Sequence, residues 1–352
     1  MPVIDTYLRQ MLDDGGSDLH LSVGSPPKIR VSGRITPLDA PALNEDSLSA
    51  MLKEIASPGR WQHYLEHGDL DLAYEIEGLA RFRGSFLRNH WGPAAVLRQI
   101  PAEILTFETL QLPEVLKDVC AYREGLVLVT GPTGSGKSTT LAAMIDYINE
   151  RSQKHIITIE DPIEFVHPKK KSVIVHREVG EHSRSFGDAL RGAMRADPDI
   201  VLVGEMRELE TIKLALNCAS MGMLVFATLH TNNAPKTIDR IIDAFPSEEQ
   251  SQIRVMLGSC LSCVVSQLLC KRLPKGRVAV HEILLKHDAL PNTIRTGRIS
   301  ASRGIIESSR AQGMIMMDDS IKKCLDEKLI TPEEAYMKAN NKEAFLPFLP
   351  KA

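Results

Sequence analysis

The sequence predicts an α/β protein of two domains, and three observations support this prediction. The 352 residues exceed the size of one typical domain and suffice for two hydrophobic cores. Short segments of alternating apolar and polar residues fill the first 100 positions, as is typical of an antiparallel sheet. From residue 114 onward, apolar strand-like runs alternate with helical patterns, which predicts a mostly parallel sheet covered by helices.

Residues 1–100 are expected to form the smaller domain, of the α+β class. An amphipathic helix carrying Ile4, Leu8 and Met11 opens it, because these residues recur at helical spacing. Two further helices and five strands are expected, the helices at residues 47–55 and 61–65 and the strands at 17–21, 28–31, 69–76, 80–86 and 94–98.

Residues 101–113 are expected to be the linker, since Pro101 and Pro113 interrupt regular structure at both ends. Residues 114–352 then form the second domain, which ends in helices. Its strands are expected at residues 126–129, 156–159, 172–175, 200–203 and 224–228, with helices at 138–150, 186–195 and 208–219 between them.

One long apolar region, residues 253–270, is interrupted by Arg254 and several polar side chains. We therefore expect a largely buried helix there instead of a membrane span. Cys260 and Cys263 fall inside this pattern without a second pair or a nearby histidine, so we expect them to pack in the core and not to bind metal.

The composition restricts the class of partner. The chain has 42 Lys and Arg against 45 Asp and Glu, for a net charge of −3, so no overall charge favours nucleic acid or an anionic membrane. The first ten residues carry Asp5 and Arg9 and lack the apolar core of a signal peptide. Six scattered cysteines without an export signal predict reduced thiols in the cytoplasm.

The second domain contains a phosphate-binding motif. Residues 131–138 read Gly-Pro-Thr-Gly-Ser-Gly-Lys-Ser, after a four-residue apolar strand and before a helical pattern. Such a loop directs backbone N–H groups and a helix N-terminus at phosphate oxygens. We expect Lys137 to contact the β- and γ-phosphates of ATP and Ser138 to bind Mg²⁺. The predicted nucleotide-binding set is Gly131, Pro132, Thr133, Gly134, Ser135, Gly136, Lys137, Ser138 and Thr139.

Polar side chains follow the other apolar strands, at the edge where an open parallel sheet binds its ligand. Glu205 follows strand 200–203 and is our candidate for orienting the attacking water. Glu164 and Glu160 follow strand 156–159, and spacing alone does not separate them; Glu164 and Glu205 are expected to reach Mg²⁺ through water. His230 follows strand 224–228 and is expected to sense the γ-phosphate.

Arg81, Arg83 and Arg98 recur on short strands of the first domain, which has no phosphate loop of its own. They could reach a nucleotide held elsewhere or on a neighbouring subunit. The alternative is a solvated strand face. The spacing alone leaves both interpretations open.

Four ordered segments closely resemble the nucleotide-site motifs of the type II and type IV secretion ATPase superfamily: residues 131–138, 158–165, 197–207 and 228–231. The resemblance also includes residues 17–21 and 68–71. Within the superfamily, the chain is most similar to the type IV pilus retraction (twitching motility) ATPases. It reaches its Ser-Asp-Leu-His motif at once and lacks the four-cysteine zinc insertion of extension enzymes.

This resemblance implies a PAS-like N-terminal domain, a RecA-like ATPase domain and a homo-hexameric ring. In such a ring, arginines such as Arg81, Arg83 and Arg98 approach the neighbour's nucleotide. Retraction ATPases hydrolyse ATP with Mg²⁺ in the cytoplasm, at the inner-membrane platform protein of the pilus machine, sometimes beside paralogous pilus ATPases.

The chain departs from the family pattern at two places. The family has Gly-His where this chain has Gly222-Met223, and a helix near the C-terminus carries Pro291 and Thr293. Proline is tolerated only in a first helical turn, so we expect this helix to start near Pro291. The alternatives that stay open are an accessory or specialised paralogue, a RecA-like nucleic-acid translocase and a non-catalytic assembly subunit.

Overall fold

The computed structural model of the protein describes residues 1–100 and 103–350, which form two compact units. The first contains the residues up to Glu103 together with Glu160–Val166 and Arg177–Arg184. The second contains Ile104–Ile159, His167–His176 and the residues from Ser185 onward. Pro101 and Ala102 of the predicted linker, and the last two residues of the predicted second domain, lie outside the described residues.

The first unit is built on a six-stranded antiparallel sheet with the strand order β3-β2-β1-β6-β5-β4. The strands are β1 Asp18–Ser22, β2 Lys28–Val31, β3 Arg34–Pro37, β4 Asp69–Ile76, β5 Ala80–Asn89 and β6 Gly92–Ile100, and the helices are α1 Ile4–Asp13, α2 Glu45–Ile55 and α3 Pro58–His67. The five predicted strands are confirmed. Strand β3 was not predicted; its four residues are all exposed and show no apolar alternation.

Local sequence explains these helices. Ile4, Leu8 and Met11 are buried on one face of α1 and join the hydrophobic core beneath the sheet. Asn44 caps α2 by accepting a hydrogen bond from the backbone N–H of Ser47. Gly68, with φ of 84°, ends α3 in the left-handed conformation that favours glycine.

The second unit contains a seven-stranded sheet with the order β13-β12-β7-β11-β10-β8-β9. Its strands are β7 Gly125–Thr130, β8 His155–Glu160, β9 Val173–Glu178, β10 Ile200–Val203, β11 Leu224–Leu229, β12 Leu261–Lys271 and β13 Arg277–Leu285. The five strands from β12 to β8 in this order pair in parallel, and β13 is antiparallel to β12. A mixed α/β fold with a largely parallel sheet is therefore observed.

Helices accompany this sheet along the chain. They are α4 Phe107–Leu110, α5 Val115–Cys120, α6 Lys137–Arg151, α7 Phe186–Ala193, α8 Leu209–Ser220, α9 Ala234–Asp243, α10 Ser247–Cys260, α11 Ala289–Arg295, α12 Ser302–Ser308, α13 Met317–Asp326 and α14 Pro332–Lys338, with 3-10 turns at Ile299–Ala301, Arg310–Gln312 and Glu343–Phe348. The short helix α4 falls inside the segment predicted to be the linker. Helix α11 begins two residues before Pro291, so the proline lies in its first turn, where no backbone donor is lost.

The prediction of one buried helix over residues 253–270 is wrong beyond Cys260. Helix α10 ends there, and the next residues form β12, which pairs with β7 on one side and β13 on the other. A continuous apolar run looks the same in a buried strand and a buried helix, so periodicity could not separate them. Cys260 and Cys263 are buried free thiols, which confirms their packing role. Over the described residues, no helix has both the length and the apolarity of a membrane span.

Candidate nucleotide site

The phosphate loop, residues 131–138, connects β7 to α6. Gly134 and Gly136 have φ of 78° and 87°, values that residues other than glycine adopt only with strain. The loop therefore curves tightly enough to bring its backbone N–H groups and the first turn of the 15-residue helix α6 to one place. The Lys137 ammonium lies across the loop and donates to the carbonyl oxygens of Gly131 at 2.9 Å and Pro132 at 3.1 Å.

The loop carries a buried hydroxyl donor, and its backbone is closely packed. Among the described residues, the Ser135 hydroxyl is buried without a hydrogen-bond partner, which leaves a donor inside the loop. A Cβ at Gly131 would lie 2.3 Å from the backbone oxygen of Gln267, so the loop backbone packs too closely for any side chain. The phosphate oxygens of a nucleoside di- or triphosphate accept the hydrogen bonds that such a loop donates.

Glu205 follows β10 and His230 follows β11, which are neighbouring strands of the sheet, and the structure brings the two side chains together. His230 Nε2 lies 2.8 Å from Glu205 Oε1, and Arg207 Nε donates to the same oxygen at 2.5 Å. The side chain of Glu205 is 22% exposed, so it is held by protein groups while one side stays open to solvent. The backbone places both residues at the carboxyl edge of the sheet, where the phosphate loop also begins.

Glu164 belongs to the acidic loop, residues 160–166, which the structure groups with the first unit. Inside the loop, the backbone N–H of Glu164 donates to Glu160 Oε2 at 3.2 Å. Arg83 Nη1 lies 3.8 Å from Glu164 Oε1, and Arg81 donates to the carbonyl oxygen of Ile163 at 3.4 Å. Two of the three predicted arginines thus contact the acidic loop of their own chain.

The acidic loop is held by a buried ion pair that the sequence analysis missed. Arg60 on α3 and Glu178 at the end of β9 are 2.7 Å apart, and their side chains are 7% and 8% exposed. The second oxygen of Glu178 accepts a hydrogen bond from the backbone N–H of Ile163 at 3.1 Å. In the sequence both residues look like ordinary surface charges, and no motif marks their pairing.

The three arginines share one face of the antiparallel sheet, opposite its core. Arg81 and Arg83 alternate with buried residues on β5, and Arg98 on β6 lies directly across from Arg83. Like charges in such a cross-strand pair destabilise a sheet. Acids offset this repulsion: Asp18 contacts Arg98 at 2.7 Å, and Asp71 contacts Arg83 at 3.4 Å.

The phosphate loop offers Mg²⁺ one protein ligand of a suitable type, the Ser138 hydroxyl. In residues 1–100 and 103–350, no group of three His, Cys, Asp or Glu side chains could enclose a metal ion. Mg²⁺ bound with nucleotide commonly uses one or two protein ligands, the phosphates and several waters. Ser138, in the first turn of α6, carries a hydroxyl of the required type.

Met223, one of the two departures from the family pattern, is buried and directly precedes β11. His230 follows the other end of the same strand. The substitution therefore lies at the edge of the sheet opposite the phosphate loop, and its side chain packs in the core of the second unit.

Residues 1–328 match the family described as type II/IV secretion system protein. The chain belongs to this family. It is 47% identical over 331 residues to the type IV pilus retraction ATPase PilT of Pseudomonas aeruginosa, covering 94% of this chain and 96% of that relative. It is 46% identical over 319 residues to a twitching motility protein of Neisseria gonorrhoeae, covering 90% of this chain and 85% of that relative.

A solved structure of this family has the same fold. The crystal structure of the pilus retraction motor PilT with bound ADP superposes with a TM-score of 0.88 at 41% identity and covers 98% of each chain. These matches confirm the predicted resemblance to the retraction ATPases of the type II/IV secretion family. The bound ADP is a property of that structure.

Proposed function

We propose that this protein is an ATP-hydrolysing motor that retracts type IV pili. The observation that carries the proposal is the meeting of Glu205 and His230, at the edge of the sheet where the phosphate loop of β7 begins. The similarity to a retraction ATPase over nearly the whole chain supports the choice of pilus retraction among the activities of the family.

In this proposal each side chain has a defined task. Lys137 exchanges its contacts with the loop carbonyls for the β- and γ-phosphates. Glu205 orients a water molecule for attack, and its contact with His230 lets the histidine sense whether the γ-phosphate is present. Ser138 would bind Mg²⁺ directly, and Glu164 and Glu205 would bind it through water. The metal ion, when bound, neutralises charge on the phosphates.

The arginines are assigned to the same reaction. We place Arg81, Arg83 and Arg98 at the nucleotide of a neighbouring subunit in a homo-hexamer, where they stabilise negative charge that develops on the phosphates. Their place on one face of the sheet, with Arg98 directly across from Arg83, supports a shared task. The first unit would be PAS-like, the second RecA-like, and residues 101–113 the linker.

The ring would act at the cytoplasmic side of the inner membrane on the platform protein of the pilus machine, with paralogous pilus ATPases as further partners. Time-lapse imaging of pili tests the direction of work. Cells without the gene should carry longer, more numerous pili that do not retract. Cells without any pili would instead indicate an assembly motor.

Purified variants test the site. Lys137→Ala should lose nucleotide binding and turnover, while Glu205→Gln should still bind ATP but hydrolyse it at least about 100-fold more slowly, because it loses the water-orienting carboxylate. Lys213→Ala, which removes an exposed cation paired with Glu249 on α8 and α10, is the matched control and should turn over normally. Near-normal turnover by Lys137→Ala and Glu205→Gln would contradict the assignment.

A further inference from the structure

Strand β12 lies beside β7 and contacts the phosphate loop. It pairs in parallel with β7, and its Ser266 lies opposite Thr130, the residue before the loop. The two hydroxyl oxygens are 2.9 Å apart. The next residue, Gln267, is 2% exposed. Its amide is therefore buried beside the point where β7 ends and the phosphate loop begins.

The Gln267 side chain connects the loop to the helix that follows it. Its Nε2 donates to the carbonyl oxygen of Ser135 at 2.7 Å, and its Oε1 accepts from Thr140 Oγ1 at 2.8 Å. A Cβ at Gly136 would lie only 2.9 Å from Nε2, so the loop backbone is packed directly on the amide. Both ends of the amide are satisfied, and this fixes its orientation.

His281 on β13 completes the arrangement. Its Nε2 lies 3.2 Å from Gln267 Oε1, and since that oxygen can only accept, the histidine must carry its hydrogen on Nε2 and donate. Complete burial lowers the pKa of His281 to about 4, so the ring is neutral at pH 7. The backbone N–H of His281 in turn donates to Ser320 Oγ of α13 at 3.0 Å.

We propose that Gln267 is a positioning residue that holds the phosphate loop in its phosphate-accepting curvature, and that His281 keeps the Gln267 amide in the required orientation. This inference rests on the proposed binding of nucleotide at the loop. Without the amide donor, the buried carbonyl oxygen of Ser135 loses its partner, and the loop relaxes to satisfy it. Nucleotide affinity should then fall more than the rate of the chemical step, because Lys137 and Glu205 remain.

Gln267→Glu tests the role of the donor. The carboxylate keeps the shape and still accepts from Thr140 and His281, but it cannot donate to Ser135. Gln267→Met also removes the donor and adds no charge beside the phosphates, so a loss of affinity in both variants is assigned to the donor. We expect affinity for a fluorescent ADP analogue to fall by about 10-fold or more, and KM for ATP to rise more than kcat falls. Gln250→Glu is the matched control, because Gln250, in helix α10, donates from its amide to the carbonyl oxygen of Phe245 and the change removes that donor. This variant should bind ADP normally.

Two variants of His281 test the orientation. His281→Leu removes the donor to Gln267 and should weaken ADP binding several-fold, whereas His281→Gln can supply an amide donor and should restore most of it. If Gln267→Glu does not fold, Gln267→Met and the His281 pair decide the question. Equal loss of affinity in both His281 variants would contradict the orienting role.

The outcomes separate this inference from the proposed function. A folded Gln267→Glu protein with an unchanged melting temperature and ADP affinity within about twofold of the wild type would overturn the inference alone. If Lys137→Ala bound ADP as well as the wild type, the proposed nucleotide site itself would fail.

Discussion

The phosphate loop and the acidic loop are both anchored by buried polar side chains, but by opposite chemistry. The phosphate loop rests on neutral groups: Gln267 donates to Ser135 and accepts from Thr140, and His281 donates to Gln267. The acidic loop rests on a charged pair, Arg60 with Glu178, which reaches the backbone of Ile163.

This difference affects how each loop can fail. A neutral amide can be replaced by an apolar group of similar shape at moderate cost, because no charge remains behind. Removing one member of a buried ion pair leaves the other charge without a partner in a poorly solvated place. A neutral support thus suits a loop that binds charged phosphates, since it adds no charge beside them. The charged pair of the acidic loop, in contrast, joins two segments that lie 118 residues apart in the chain.

The largest expected effect comes from breaking the charged anchor. Arg60→Met should lower the free energy of unfolding by about 3–5 kcal/mol, because Glu178 stays buried and unpaired. The double variant Arg60→Met with Glu178→Met should regain much of this loss, since two apolar side chains replace the pair. Urea unfolding of the four proteins of this cycle measures both values.

Gln62→Met, on the exposed face of the same helix, is the control for the Arg60 series and should change stability little. Additive single effects in the cycle, with no recovery in the double variant, would show that Arg60 and Glu178 are not energetically coupled.

A smaller effect for each residue is expected from acid at two buried histidines, His281 of the neutral anchor and His167, which precedes β9. Burial lowers the pKa of His281 to about 4, and burial, His176 and Lys170 lower that of His167 to about 3. The unfolded chain therefore binds these protons first as the pH falls below about 6.5, and the folded protein loses stability down to about pH 4. Between pH 6.5 and pH 4.5 each histidine contributes a loss of at most about 3 kcal/mol, and above about pH 6.5 it contributes none.

His281→Gln removes one of these titrations. Its unfolding free energy, measured by urea denaturation between pH 4.5 and 7.5, should depend less steeply on pH than that of the wild type. Parallel curves for the two proteins would show that His281 does not titrate between its folded and unfolded states in this range.

The smallest effect on stability is expected at the solvent-exposed contact of the acidic loop. The side chains of Arg83 and Glu164 are 41% and 36% exposed, so Arg83→Gln should cost less than about 1 kcal/mol. Its ATP turnover should nevertheless fall strongly, because the proposed task of Arg83 is at a nucleotide. Mixing Arg83→Gln with Lys137→Ala subunits should restore part of the activity if the arginine acts on a neighbour. Inactivity at every mixing ratio would argue against action between subunits.

The sequence was sufficient where a local pattern determines structure. Alternation along residues 69–76 and the glycines of the phosphate loop each encode their own conformation, and Glu205 and His230 could be placed because parallel strands share one edge. The same rule extends to any residue that directly follows a buried strand.

The sequence was insufficient where partners are distant in the chain. Gln267 contacts Ser135 across 132 positions, and its strand reads as one apolar run with the helix before it. The polar pair Ser266-Gln267 inside that run was the available signal, because a buried strand rarely carries polar side chains without partners. Arg60 and Glu178 gave no such signal, since charged residues on a helix and at a strand end are common on surfaces.

The order of strands around β7 has a consequence for synthesis of the protein. Both neighbours of β7, the strands β11 and β12, come later in the chain, and β12 ends at Lys271. A ribosome that has just made the phosphate loop must therefore add more than a third of the polypeptide before both strands that pair with β7 have been synthesised. Contacts so distant in sequence form late, so a nascent chain should become able to bind nucleotide only after β12 has emerged from the exit tunnel.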